Sequence, residues 1–279
     1  MWDLPKLSYC RPESVREVLQ ALRRPGSRIY AGGTDLLVAL RNREDWVRGV
    51  RMLVDVKSVS EAAGIAEAGT EIRIGSLTTA AQLAASGTVR RHARALAEAA
   101  QDTSAPSLRA RGTVGGNLST PHPSGDVTTA LLALGASVEL AVPGRSAARV
   151  VPLAELFAQH PNQLNGRTLV LAVRVPKCQQ SAFESLGTRH VFSRSVVAVA
   201  VAIRDGRHCV ALGGLDARPF VATSISAALD ARATVSDALM TDWGTLSESG
   251  ETDPRFGLAA TLIGRARERA ARMRSRATA

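Results

Sequence analysis

The stretch that decides the fold is LRARGTVGGNLSTPHPSGD, residues 108–126, which places the pair Gly115–Gly116 ahead of an apolar helical pattern. An earlier stretch, IYAGGTD at residues 29–35, carries a second glycine pair directly after a short β-type run. Glycine has no Cβ, so its backbone can turn sharply and its N–H groups can come close to an anion. Either loop alone is a weak motif, but together they predict two walls of one site for a phosphate-bearing cofactor.

The composition is that of an ordinary globular protein, with 279 residues, of which 45% are hydrophobic and 22% charged. This length allows two domains, or one large domain with subdomains. Aromatic residues make up only 4% of the chain, which argues against stacking on single-stranded nucleic acid. Part of the net charge of +10 lies in the arginine-rich stretch 265–279. That stretch favours a solvated helix face over contact with nucleic acid or an acidic partner.

The cysteines Cys10, Cys178 and Cys209 are far apart and form no CxxC motif. The sequence therefore predicts neither a thiolate zinc site nor an iron–sulfur cluster held by this chain. Scattered single thiols are typical of a reducing compartment. The first residues contain no apolar segment of signal-peptide length, and the apolar run 196–203 is too short to span a bilayer. We therefore expect a cytoplasmic protein that makes no membrane contact.

Hydrophobic periodicity predicts a small α/β unit in the first part of the chain. A helix begins after Ser14, whose hydroxyl and Glu17 form a capping-box pattern. A strand at 28–31 then enters the first glycine pair, and a second helix leads to a strand at 52–56. The order helix, strand, glycine loop, helix, strand is that of an α/β unit.

The remaining patterns predict a mixed region and then an antiparallel sheet. From about Ser58 we expect a hairpin, an alanine-rich helix over 89–100, a helix over 127–134 capped by Asp126, and strands up to Pro176. Beyond residues 177–181 the patterns predict a three-stranded antiparallel sheet and two helices. The strands are expected at 182–186, 195–203 and 208–215, and the helices at 224–233 and 256–273.

Candidates for catalysis are few. None of the five histidines has metal-ligand spacing, and His122 is better interpreted as a loop residue than as an acid–base catalyst. Ser124 lacks the Gly-x-Ser-x-Gly context of a nucleophile elbow. The first glycine pair is not a Gly-x-Gly-x-x-Gly fingerprint. The hydroxyl and amide side chains around Asn117 instead suit a pyrophosphate with a ribitol or ribose chain.

The pairing of AGGTDLL with RGTVGGNLSTPHPSGDVTTALLALGASVEL resembles the FAD-binding medium subunit of molybdenum hydroxylases. That family includes xanthine dehydrogenase, carbon monoxide dehydrogenase and related aldehyde and N-heterocycle dehydrogenases. The resemblance covers the whole chain and implies an α+β fold. Residues 1–176 would form a two-subdomain FAD-binding fold of the vanillyl-alcohol-oxidase/PCMH type, with subdomains about 1–57 and 58–176. Residues 177–279 would form a C-terminal CO-dehydrogenase-flavoprotein-like domain with a three-stranded antiparallel sheet and helices.

The resemblance also implies which residues hold a noncovalent FAD. The first group would wrap the pyrophosphate and comprises Arg28, Ile29, Tyr30, Ala31, Gly32, Gly33, Thr34 and Asp35. The second group comprises Thr113, Val114, Gly115, Gly116 and Asn117, with Asp126 at the nucleotide end and further contacts at Val170 and Glu184. Two departures from the family leave the flavin environment and the acceptor open. Relatives often have an aliphatic or tyrosine side chain where this chain has Arg194, and some have a basic residue at position 184.

The function implied by the resemblance is an FAD-carrying electron-transfer subunit of a molybdenum hydroxylase. Electrons would reach FAD from a [2Fe–2S] small subunit and pass to NAD or another acceptor, while a molybdopterin-binding large subunit hydroxylates a purine, N-heterocycle, aldehyde or CO. The implied assembly is a dimer of heterotrimers, with no metal and no catalytic residue in this chain. The alternatives are a stand-alone flavin oxidoreductase and a basic nucleic-acid-binding or assembly protein without cofactor.

Overall fold

The structure is a computed structural model that describes residues 4–120, 122–145, 147–159, 164, 167–188, 193–244 and 254–273. The structure contains three sheets with helices packed against them. Each sheet is formed by strands from one continuous part of the chain, so the fold is described below in three parts. None of the helices in these ranges is long and apolar enough to cross a bilayer.

The first part contains a three-stranded parallel sheet in the order β1–β3–β2. Its elements are β1 (Ser8–Cys10), α1 (Val15–Ala21), β2 (Ser27–Tyr30), α2 (Leu36–Asn42) and β3 (Met52–Asp55). The predicted α/β unit is confirmed, and the sequence missed only the three-residue edge strand β1. Helix α1 begins as expected, because the Ser14 hydroxyl accepts a hydrogen bond from the N–H of Glu17 at 3.3 Å.

The second part is built on a five-stranded sheet in the order β4–β5–β8–β6–β7, with every neighbouring pair antiparallel. The strands are β4 (Ile65–Ala68), β5 (Glu71–Gly75), β6 (Ser137–Leu140), β7 (Arg149–Pro152) and β8 (Val170–Pro176). The helices are α3 (Ala80–Ala85), α4 (Gly87–His92), α5 (Arg94–Asp102), α6 (Pro106–Arg109), α7 (Val114–Ser119), α8 (Asp126–Ala133) and α9 (Leu153–Gln159).

Two predictions for this part are wrong. The alanine-rich helix is broken at Ala93, which has φ −152° and separates α4 from α5. The break follows from a tertiary contact, since Cys178 N donates to the His92 carbonyl at 2.7 Å. Asp126 does not cap α8 with its side chain. It is the first residue of that helix, and Gly125 occupies the N-cap position.

The third part is a four-stranded antiparallel sheet in the order β12–β11–β10–β9. Its elements are β9 (Gln180–Gly187), β10 (Ser195–Arg204), β11 (Arg207–Gly213), β12 (Phe220–Val221), α10 (Thr223–Asp230), α11 (Val235–Gly244) and α12 (Arg255–Arg272). The three predicted strands are present. The fourth is the two-residue β12, too short for a hydrophobic pattern to reveal.

Strand β10 joins the third sheet to the rest of the molecule. Its valines, represented by Val199, belong to the buried cluster that includes α12. Its alanines, represented by Ala200, belong to the cluster that includes α5 and α8. Alternate residues of a strand point to opposite faces, and small alanines let helices approach closely. One face of this sheet therefore shares a core with the second part, and the predicted division at residue 177 stays a prediction.

Candidate functional site

The first loop (residues 31–35) and the second loop (residues 111–117) touch each other. The first loop follows β2, and the second loop leads into α7. A Cβ placed at Gly32 would overlap the carbonyl oxygen of Arg111 and lie 3.2 Å from Cα of Gly112. Only glycine fits at position 32, because the backbone of the second loop occupies the space of a side chain. The structure therefore brings together the two glycine pairs that the sequence predicted to share a site.

The first loop offers a run of unused amide groups. Gly33 has φ +72°, a left-handed conformation that glycine adopts without strain. Within the described chain, the N–H groups of residues 32–35 donate to no acceptor, and the first bond leading into α2 runs from Leu37 N to the Gly33 carbonyl at 3.1 Å. Buried or half-buried amides without partners are uncommon, and successive ones create a concave anion-binding surface.

The second loop differs from the prediction in that several of its N–H groups already have acceptors within the protein. Thr113 is the N-cap of α7, and its hydroxyl accepts a hydrogen bond from Gly116 N at 3.1 Å. The N–H groups of Val114 and Gly115 donate to carbonyl oxygens in the segment 76–78 at 2.9 and 2.8 Å. These amides are therefore not available to a phosphate, contrary to the prediction. This loop contributes hydroxyl groups and shape, while the first loop contributes the backbone donors.

A first cavity opens between the loops. Its wall is formed by most of residues 28–36, by Ser76 and Leu77, by much of 113–120 and by 168–170. Arg28 lies in this wall, with its guanidinium 5.0 Å from the Trp46 ring centroid and its Nη1 donating to the Trp46 carbonyl at 3.3 Å. Burial lowers the pKa of Arg28, yet an arginine stays protonated in proteins. The cavity thus contains a fixed positive charge beside the unused amides.

A second cavity of about 360 Å³ lies on the other side of the second loop. Four residues line both cavities, and we therefore treat the two as halves of one cleft; they are Thr34, Asp35, Thr113 and Thr120. The outer wall of the second cavity includes Arg194, whose Nη2 lies 3.4 Å from Asp35 Oδ1. This pair links the third part of the chain to the first loop.

Asp126 is the most unusual group in the cleft. It lines the second cavity and is only 4% exposed, and its Oδ1 atom has no hydrogen-bond partner. Burial raises the pKa of Asp126 to about 6, and the charge of Asp102 acts in the same direction. A buried carboxylate oxygen without a donor is unfavourable, so this atom is suited to accept a hydrogen bond from a bound molecule.

Two further side chains of the second cavity are oriented by internal hydrogen bonds. Thr128 Oγ1 donates to Asn117 Oδ1 at 2.7 Å, which leaves the Asn117 amide nitrogen as a donor. His122 Nδ1 accepts from Ser124 N at 3.1 Å. Burial lowers the pKa of His122, with a smaller effect from Arg194, and a neutral ring that accepts this bond agrees with its interpretation as a loop residue.

The comparison that decides the family is a domain match. A family model described as the FAD binding domain in molybdopterin dehydrogenase matches residues 5–178, more than half of the chain. This chain belongs to that family. The predicted recognition, fold class and FAD cofactor are thereby confirmed at the level of the FAD-binding family.

Comparison with individual proteins agrees with the family match. The chain is 30% identical over 188 residues to the carbon monoxide dehydrogenase medium chain of Hydrogenophaga pseudoflava, covering 65% of this chain and 64% of that protein. It is 32% identical over 192 residues to the 6-hydroxypseudooxynicotine dehydrogenase complex subunit alpha of Paenarthrobacter nicotinovorans, covering 67% and 63%. The aligned regions thus span just under two thirds of these relatives' own lengths.

The solved structure of carbon monoxide dehydrogenase from Hydrogenophaga pseudoflava contains a chain of similar fold. The TM-score is 0.84 at 24% identity, and the match covers 97% of this chain and 99% of that chain. At this identity the likeness shows the fold alone. It extends beyond the matched FAD-binding domain into the part that contains the third sheet.

The cleft fits the cofactor of the FAD-binding family. Unused amides of the first loop and the charge of Arg28 suit a diphosphate. The partnerless oxygen of Asp126 suits a hydroxyl or N–H donor, and Asn117 offers the complementary donor. The amides and Arg28 are suited to the diphosphate of a dinucleotide. Asp126 and Asn117 are suited to its hydroxyl and N–H groups.

Most residues that the sequence assigned to FAD line this cleft. In the first cavity these are Arg28, Ile29, Ala31, Gly32, Gly33, Thr34, Asp35, Thr113, Gly115, Gly116 and Val170. In the second cavity they are Thr34, Asp35, Thr113, Val114, Asn117 and Asp126. Their contact with FAD stays a prediction, since the geometry shows only that they share one cleft.

Two assigned residues lie elsewhere. Tyr30 is behind the first loop, where its ring would be 2.5 Å from a Cβ at Gly33 and stacks under Lys57 Nζ at 4.0 Å. Glu184 lies on β9, outside both cavities, and forms an ion pair with Arg269 of α12. This ion pair joins α12 to the sheet, and the contact of Glu184 with the flavin that the resemblance implied stays a prediction.

The sequence missed several cleft residues. Trp46 and Ser76 line the first cavity, and Thr103 and Leu108 line the second. Of these four residues, only Trp46 could have been suspected from the sequence, because tryptophan rings often stack on a cation. The others are ordinary residues brought in by tertiary packing. No group of three or more potential metal ligands occurs in the part of the chain that the structure describes.

Proposed function

We propose that this chain is the FAD-carrying electron-transfer subunit of a molybdenum hydroxylase complex. One observation carries the proposal. In a chain of the FAD-binding family, four successive amides of the first loop have no acceptor within the described residues, and they belong to residues 32–35, which line the cleft between the two loops. An anionic diphosphate would satisfy these donors without any change in the backbone.

Each wall of the cleft has its own role in this proposal. The first loop and Arg28 hold the diphosphate through backbone donors and one half-buried guanidinium. The second loop and helix α7 position the hydroxyls of Thr113 and Thr120, which line both cavities. Asp126 and Asn117 accept and donate hydrogen bonds in the second cavity and thereby fix the orientation of the bound cofactor.

When bound, FAD supplies a carrier that exchanges electrons either singly or in pairs, which side chains alone cannot do. The chain's residues bind, orient and enclose the cofactor, and none of them has to transfer a proton to substrate. His122, whose pKa is lowered by burial, has no acid or base role in this division of labour.

The names of the relatives support the proposed partners. One relative is the medium chain of a carbon monoxide dehydrogenase and another is a subunit of a dehydrogenase complex. We propose that this chain likewise receives electrons from [2Fe–2S] centres of a small subunit and passes them to NAD or another acceptor. The substrate would be a purine, N-heterocycle, aldehyde or CO, bound by a molybdopterin-containing large subunit. The assembly would be a dimer of heterotrimers in the cytoplasm.

The test is purification of the native complex through a tag on this chain. We expect co-purification of chains that contain molybdenum and iron–sulfur clusters, together with a flavin absorbance that bleaches when the complex is given its substrate. A yellow protein that purifies alone and reduces an acceptor by itself would support a stand-alone flavin oxidoreductase instead. A colourless protein retained on DNA in a salt-sensitive manner would contradict flavin function altogether.

A further inference from the structure

A separate hollow of about 670 Å³ lies between the end of α1, the β6–β7 hairpin and the residues before β8. It is a different space from the FAD cleft. Thr168 is the one residue that its wall shares with the first cavity, and none of its wall residues belongs to the second. Its volume lies within the range of small-molecule sites in proteins.

Among the described residues in the wall of this hollow, every ionisable side chain is an arginine, and none is acidic. They are Arg23, Arg145, Arg149 and Arg167. Arg23 follows α1, Arg145 lies in the hairpin turn and Arg149 begins β7, so three separate elements direct guanidinium groups to one place. The like charges of Arg23, Arg145 and Arg149 repel one another, and this repulsion is relieved when an anion binds between them.

Most of these arginines have no internal role. Within the described residues, the side chains of Arg23, Arg145 and Arg149 form no ion pair or hydrogen bond, whereas Arg167 Nη2 donates to the Leu22 carbonyl at 3.3 Å. Some exposed arginines elsewhere in the described chain are paired, such as Arg48 with Asp45 and Arg174 with Glu139, while others, such as Arg41, are not. The arginines of the hollow differ from the unpaired ones in that they lie together in one wall. The unpaired guanidinium groups remain available to a ligand, and arginine is well suited to phosphate.

The floor of the hollow is apolar. Leu22 and Leu140 are buried, while Leu19 and Val142 are partly exposed to the hollow. A simple inorganic anion such as phosphate would gain nothing from contact with this apolar surface. A ligand that combines a phosphate with a flat or apolar part would use both the arginines and the leucines.

We propose that this hollow binds a phosphate-bearing small molecule of the nucleotide class, independently of the FAD cleft. The phosphate is held by the arginines of the β6–β7 hairpin, and the base lies against the partly exposed side chains of Leu19 and Val142. Because Thr168 borders both sites, a nucleotide in the hollow lies next to the wall of the first cavity without entering it.

The test is calorimetric titration of AMP into the FAD-saturated complex, which prevents AMP from occupying the FAD cleft. We expect saturable binding that weakens with added salt. The double variant Arg145→Gln and Arg149→Gln should raise the AMP dissociation constant at least about tenfold, since each lost guanidinium removes a charge-assisted hydrogen bond. Both side chains are exposed, so folding should be unaffected.

The matched control is Arg265→Gln with Arg267→Gln, two exposed arginines on α12 outside the hollow that lower the net charge equally. It should leave AMP binding unchanged, and adenosine should bind far more weakly than AMP. Absence of saturable AMP binding, an equal effect of the two double variants, or adenosine binding as tightly as AMP would each overturn the proposal. FAD content is read from the flavin absorbance of the same samples. Loss of FAD function would therefore be seen separately from loss of the AMP site.

Discussion

Gly32 and Arg111 are packed backbone against backbone, and the carbonyl oxygen of Arg111 occupies the position that a Cβ of residue 32 would take. This contact holds the two glycine loops at a fixed separation. It therefore determines the width of the cleft in which the unused amides of residues 32–35 face the second loop.

The first prediction concerns this contact. Gly32→Ala should force the loops apart, lower the FAD affinity by at least tenfold and lower the free energy of unfolding by about 1–3 kcal/mol, the usual range for overpacking. FAD titration and urea denaturation measure the two effects. The control is Gly257→Ala, where a new Cβ would meet no atom within 4 Å. A Gly32→Ala protein with normal FAD affinity would show that the close packing is not needed for binding.

The second prediction concerns Asp126, whose pKa is raised from 3.8 to about 6 by burial. A pKa that is higher in the folded state adds stability that is full below pH 4 and is lost as the pH rises through 6. The shift corresponds to about 3 kcal/mol of unfolding free energy. Asp126→Asn should therefore stabilise the ligand-free protein at pH 8 by up to that amount, and should weaken FAD binding.

Denaturation of the ligand-free protein at pH 8 and pH 4 measures this effect, with the exposed Asp45→Asn as the control that should show none. The sequence alone suggested that Asp126 caps α8, in which case its replacement would lower stability at pH 8. Such a destabilisation would contradict the account of Asp126 as a buried carboxylate with one oxygen, Oδ1, that has no partner.

The third prediction separates Glu184 from the flavin. Arg269 Nη2 lies 2.6 Å from Glu98 Oε1, its Nη1 donates to the Phe183 carbonyl at 2.9 Å, and it pairs with Glu184. Arg269→Met would leave the partly buried carboxylate of Glu184 without its cation and Glu98 with Arg94 alone, and it should lower stability by about 2 kcal/mol. Glu184→Gln should lower stability less and leave FAD content unchanged.

Thermal unfolding and flavin absorbance of both variants provide the measurement. Arg272→Met is the control, because its pair with Glu268 is largely exposed and worth little. Loss of FAD from Glu184→Gln without loss of stability would restore the family-based assignment of that residue to the cofactor.

The fourth prediction concerns Arg28, the half-buried cation in the wall of the first cavity. Arg28→Gln should raise the FAD dissociation constant by about tenfold to a hundredfold, as expected when a charge-assisted hydrogen bond to a phosphate is lost. Arg41→Gln, at an exposed position of α2 outside both cavities, should leave binding unchanged. Equal affinities of the two variants would exclude Arg28 from phosphate binding.

The sequence predicted the fold well where local patterns agree with packing. The alternating valines and alanines of β10 and the glycine pair after β2 are local signals, and both lie where they were expected. Features that depend on distant partners were not predictable. The amides of Val114 and Gly115 are used by the segment 76–78, and the helix break at Ala93 depends on Cys178.

The difference between local patterns and distant contacts also explains which features of the site could be predicted. Glycine pairs revealed which segments form the cleft, because a backbone that approaches an anion needs residues without a Cβ. They could not reveal which amides remain free, since that depends on long-range acceptors. The ion pair of Glu184 was hidden for a similar reason, because an alignment assigns a position without showing that Arg269 comes from α12 to pair with it.

The most direct measurement is a titration of FAD into the purified chain after its cofactor has been stripped, followed by flavin fluorescence. The account predicts saturation at one FAD per chain, competition by ADP, which carries the same diphosphate, and no competition by riboflavin at similar concentrations. A chain that takes up no flavin, or one that binds riboflavin as tightly as FAD, would contradict the claim that the amides of residues 32–35 bind a diphosphate.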